Sequence, residues 1–114
     1  MDSSFKFGDC LSQLLLIRGW SASQLAREIN TDPSYVHKWI RGERVPSLQS
    51  YFIHQIAKSI SSGLDVQSKV EALNIFLKEH NCPGLNIDKD TSYDTIIEEV
   101  LKRAQIYSLT LPAY

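Results

Sequence analysis

At 114 residues and 43% hydrophobic content, the chain is long enough for one domain, or for a small domain with an extension, and too apolar to be disordered. The net charge of −1 alone points to no nucleic-acid partner, and the longest apolar run, Leu14–Ile17, is far too short to cross a bilayer. The start, MDSSFKFGD, lacks the basic and apolar regions of a signal peptide, and Cys10 and Cys82 form no C-x-x-C pair, so a cytoplasmic protein with reduced thiols and no membrane partner is expected.

Taken in chain order, Phe7, Cys10, Leu11, Leu14 and Leu15 recur at helical spacing and predict a first helix over Gly8–Arg18, with Asp9 in its first turn and Gly19 placed to end it. Ser21-x-x-Gln24 is a capping-box pattern that starts a second helix running to about Ile29. Asn30, which tolerates the left-handed conformation a helix exit needs, opens a three-residue turn with Thr31 and Asp32. Pro33 suits the first position of a third helix, capped by Asp32 or Thr31 and ending near Gly42. Residues 42–46, GERVP, read as a loop. Ser47 is then expected to cap a fourth helix through about Ile60, with Leu48, Phe52, Ile56 and Ile60 on one face.

A fifth helix is predicted from about Asp65 to His80, with Val66, Val70, Leu73, Phe76 and Leu77 on one stripe. Residues 81–90, NCPGLNIDKD, read as a loop. A sixth helix is predicted from about Ser92 to Tyr107, with a broad apolar stripe of Tyr93, Ile96, Ile97, Val100, Leu101 and Ala104. No repeat, low-complexity tract or pair of strands is visible, so the fold is expected to be all-α.

Charge is unevenly placed. Residues 1–60 carry seven basic and five acidic groups, and residues 61–114 five basic and eight acidic ones. A mildly basic front half and an acidic back half fit a DNA-facing domain with a segment that faces elsewhere. Catalytic and metal readings find no support: His37, His54, His80, Cys10 and Cys82 form no recognised ligand spacing, His80-x-Cys82 is a lone pair, and no phosphate loop or nucleophile motif is present. No enzyme, metal or cofactor is expected.

The organising stretch is Ser21–Gly42, SASQLAREINTDPSYVHKWIRG. Two helices this short need packing partners, and two helices meeting at a tight turn is the helix-turn-helix plan. Leu25-Ala26 ahead of Ile29, the turn at Asn30, Pro33-Ser34-Tyr35-Val36, and Trp39-x-x-Gly42 with a short loop to Pro46 follow in order. In these features residues 8–60 resemble the DNA-binding domain of the lambda repressor and Cro family, the xenobiotic-response-element group of bacterial regulators. Two departures are visible. Asn30 stands where the family often has Gly. Leu15 and Ile40 stand where many members pair a basic residue with Glu, an exchange that apolar packing tolerates.

The resemblance implies a five-helix lambda-repressor-like domain over residues 1–63 (core 8–60) and a C-terminal helical extension over 64–114. It implies a sequence-specific regulator, most often a repressor, that binds double-stranded DNA at a palindromic site as a homodimer. The third helix would lie in the major groove, with Val36, Trp39 and Ile40 inward and Pro33, Ser34, His37, Lys38 and Arg41 toward DNA, Tyr35 at the edge. Ser34 and Lys38 would read bases, while Tyr35, Arg41 and Arg44, with the start of the second helix at Ser21 and Gln24, would meet phosphates. Gln24 serves equally as a cap, and Trp20 and Trp39 as core or rim. The fifth and sixth helices are expected to serve self-association or another protein partner, or else the sixth folds back on the fourth and fifth helices of its own chain. Two other functions fit the same residues: an antitoxin-like autoregulator that binds a toxin through its acidic half, and a protein-interaction module that does not bind DNA.

Overall fold

The computed structural model describes residues 6–64, 67–79 and 93–110. Val66, the 81–90 loop and the His80-x-Cys82 pair lie outside the described residues. Six helices follow in order: α1 (Phe7–Arg18), α2 (Ala22–Glu28), α3 (Pro33–Arg41), α4 (Phe52–Ser61), α5 (Gln67–Glu79) and α6 (Tyr93–Leu109). The fold is all-α, and there is no strand among the described residues.

The helix ends in the front half follow from local chemistry. Gly19 closes α1 at φ 82°, its N–H donating to the carbonyls of Leu15 and Leu16. Ser21 and Gln24 form a complete capping box: Gln24 N–H donates to Ser21 Oγ at 3.2 Å, and Ser21 N–H to Gln24 Oε1 at 2.7 Å. Asn30 takes the left-handed conformation at φ 58°. At the start of α3, Ser34 N–H donates to Asp32 Oδ1 at 2.9 Å, and Pro33 occupies the first turn, where its missing donor costs nothing.

One core joins the helices. Leu25 and Ala26 from α2, Val36 and Trp39 from α3, and Phe7, Leu11 and Leu14 from α1 are all buried. Phe7 and Phe52 both meet the Trp39 ring edge-on, with centroids 6.4 and 5.1 Å away. Leu15 is buried and Ile40 packs against the same core, so the two positions that differ from the family's ion pair lie on apolar ground. α1 meets α3 closely at Gly8. A Cβ there would stand 2.5 Å from the Trp39 carbonyl oxygen and 2.6 Å from that of Ile40, so no side chain fits.

One expectation is corrected. The helix predicted from Ser47 begins only at Phe52. Ser47 forms its own turn, with its Oγ accepting from Gln49 N–H and its carbonyl accepting from Ser50 N–H and Ser50 Oγ–H. Serine side chains that bond nearby backbone offer an alternative to the helix, and here they prevail. Leu48 therefore leaves the apolar face and is 64% exposed, while Ile53, Ile56, Ala57 and Ile60 line it. α6 takes one of the courses expected of it. Ile96, Ile97, Val100, Leu101 and Ala104 are all buried, against α4 most extensively and also against α1. The stripe folds back on its own chain, the alternative to self-association.

Candidate nucleic-acid interface

The sequence places Ser34, His37, Lys38 and Arg41 at positions i, i+3, i+4 and i+7 of α3, which is one face of a helix. Ser34, His37 and Arg41 are exposed and Lys38 is half-buried, while Val36 and Trp39 on the opposite face are fully enclosed. Pro33 is exposed at the helix start, and Tyr35 beside the stripe is 52% exposed. Ser21 and Gln24 are exposed at the start of α2, their side chains engaged with each other's backbone. Arg44 is exposed in the loop that leaves α3. All nine predicted side chains thus stand on or beside the α2–α3 unit, and eight are solvent-exposed.

Electrostatics on this face are more balanced than the basic residues alone suggest. Gly42 turns left-handed at φ 80°, and Glu43 N–H and Arg44 N–H then donate to the Lys38 carbonyl. That turn swings Glu43 back onto Arg41, with Nε donating to Oε2 at 2.8 Å and the guanidinium tip to Oε1 at 3.4 Å. The hydrogen bond and the charge of Arg41 lower the Glu43 pKa, and Glu43 in turn raises that of Arg41. At the other end of α3, the Ser34 backbone N–H foremost, then its hydroxyl, lowers the Asp32 pKa, with Lys38 adding a smaller charge effect. Both ions of the Arg41–Glu43 pair are exposed, so the pair adds little stability and Arg41 can exchange Glu43 for another anion.

Two features escaped the sequence reading. Glu43 was legible as a charge but not as a partner of Arg41, because the contact depends on the left-handed turn between them. Lys6, just before α1, lines a groove of about 320 Å³ together with Arg41, Arg44 and Ser108. Nothing in the spacing joins Lys6 to residues so far along the chain; the packing of α1 on α3 does. Asp9 lines the same groove, so it is not uniformly basic. Among the described residues no three of His, Cys, Asp and Glu cluster as a metal site would require, and no helix is long and apolar enough to cross a membrane.

A compact set of helices that holds a short, exposed, cation-bearing helix across a capped turn defines the helix-turn-helix class of DNA-binding proteins. Residues 11–51, just over a third of the chain, match the family described as Helix-turn-helix; this segment is of the Cro/C1 helix-turn-helix type, which supports a DNA-binding role in transcriptional regulation. The match runs from within α1 through α3 and its exit loop and stops just before α4. No curated protein and no solved structure matches the chain.

Proposed function

We propose that this protein is a cytoplasmic transcriptional repressor that occupies a palindromic operator as a homodimer, with no catalytic role. The observation that carries the DNA reading is the exposed stripe Ser34–His37–Lys38–Arg41 on a helix whose two ends and buried face are fixed by its own caps and core. Lys38 donates to guanine O6 and N7, and Ser34 contacts the adjacent base or phosphate. Pro33 and His37 lie along the groove edge. Tyr35, Arg41 and Arg44 hold phosphates, with Ser21 and Gln24 at the rim, so these residues set register and salt dependence. Arg41 exchanges Glu43 for a phosphate on binding. The dimer is proposed from the two-fold logic of operators and not from the α6 stripe, which is buried.

The test is selection from a random duplex pool, comparing the parent chain with Lys38→Ala and Arg41→Ala at two salt concentrations. A palindromic site is expected. Lys38→Ala should relax one position by about 1–3 kcal/mol. Arg41→Ala should weaken binding across sequences and reduce the salt slope by about one. No enriched site would overturn the reading, and an enriched site without two-fold symmetry would remove the dimer.

A further inference from the structure

Gln105 is a polar side chain in an otherwise apolar core: it is 2% exposed, and among the described residues no other polar side chain is as enclosed. The other buried residues of α6 are aliphatic, and an apolar side chain of similar volume would fill the same space. What it adds is a donor, and Nε2–H donates to the Pro46 carbonyl at 2.7 Å. Pro46 is itself buried and closes the loop that leaves α3 and carries Arg44. Three residues along α6, on the same side of the helix, Ser108 Oγ accepts the Phe7 N–H at 2.9 Å. Phe7 is the first residue of α1, and Lys6, its N-cap, has no side-chain cap of its own. Ser108 therefore caps α1 from the far end of the chain.

The two segments held in this way line one groove: Arg44 stands on the loop, Lys6 and Asp9 at the start of α1, and Ser108 of α6 lines it with them. We propose that Gln105 and Ser108 are positioning residues of the DNA interface. Through two hydrogen bonds to backbone, α6 sets where the loop presents Arg44 and where α1 presents Lys6. Residues well beyond the segment that matches the family thereby fix how firmly a phosphate is held. This rests on the DNA-binding reading above. It assigns the acidic half a part in that function through contacts on its own chain.

The experiment uses the full chain with Gln105→Met, which keeps the burial and removes the donor, and Ser108→Ala. The first readout is amide hydrogen exchange without DNA. In Gln105→Met the Glu43 and Arg44 amides should exchange about tenfold faster while α2 is unchanged, and in Ser108→Ala the same should hold for the Phe7 amide. The second readout is affinity for the duplex that the parent chain selects. Gln105→Met should weaken it about three- to tenfold in the parent and not at all in an Arg44→Ala background. Ser108→Ala should behave in the same way against Lys6→Ala. Equal losses in both backgrounds, or unchanged affinity, would overturn the proposal, because a general loss of stability acts independently of Arg44 and Lys6. Should Gln105→Met unfold, the Ser108→Ala and Lys6→Ala cycle decides. A parent chain that selects no duplex fails the DNA reading itself. Unchanged loop exchange sinks the positioning role even where DNA binding stands.

Discussion

The α2–α3 unit and α6 are ordered in opposite ways. Each end of α2 and α3 is specified by residues within a few positions: Ser21 with Gln24, Asn30, Asp32 with Pro33, and Gly42. The place of α6 is set from farther away. It is fixed by a buried stripe against α4 and α1 and by hydrogen bonds to residues 44, 59 and 101 positions away. The difference shows how a short helix can be exposed on one face and still be held in place. Local caps define its shape, and distant helices supply the apolar surface that two such short helices cannot supply alone.

The comparison can be broken most directly at Leu101, which is fully buried on α6. Leu101→Ala should lower the stability of the whole chain by about 2–5 kcal/mol in urea unfolding, since it opens a cavity in the shared core. A cost below about 1 kcal/mol would mean that α6 is not core. Next in size is the join between the two regions. Gly8→Ala forces a methyl against two carbonyl oxygens of α3 and should cost about 1–3 kcal/mol by the same measurement. A neutral result would show that α1 and α3 meet less closely than described.

The local side of the comparison predicts smaller effects. Ser21→Ala removes one half of the capping box of a seven-residue helix and should cost about 1 kcal/mol in thermal or urea unfolding. A cost as large as that at Leu101 would mean that the cap is coupled to the core and is not local. The smallest effect expected is at Asp32. Its carboxyl sits below its ordinary value of 3.8 because the folded chain donates the Ser34 N–H to the carboxylate. The stabilisation is therefore complete above that ordinary value and is lost as pH falls through the depressed one. Lowering the pH from about 5 should destabilise the parent slightly more than Asp32→Asn, which caps while neutral. Identical pH profiles would remove the charge from the account of α3.

Most of the front half was legible in the residues. Ser21, Gly19, Asn30, Asp32, Pro33 and Gly42 announce helix ends because their side chains, or the lack of one, act on backbone within a few residues. The face of α3 was legible for the same reason: Val36, Trp39 and Ile40 leave one side for Ser34, His37, Lys38 and Arg41. Ser47 misled because the signal for a helix cap and for a separate turn is the same hydroxyl, and only the exposure of Leu48 separates them. The α6 stripe was visible but not its destination, since an apolar face seeks cover equally well on its own chain or on another.

By itself, then, the sequence determined α1 to α3, the turn between α2 and α3, and the residues available on the exposed face, because each depends on short-range backbone chemistry. The tertiary structure alone decided that α6 completes the core, that Glu43 engages Arg41, and that Lys6, Arg44 and Ser108 line one groove. Those relations depend on which surfaces meet after the chain has folded, and residues distant in sequence carry no periodic sign of such a meeting.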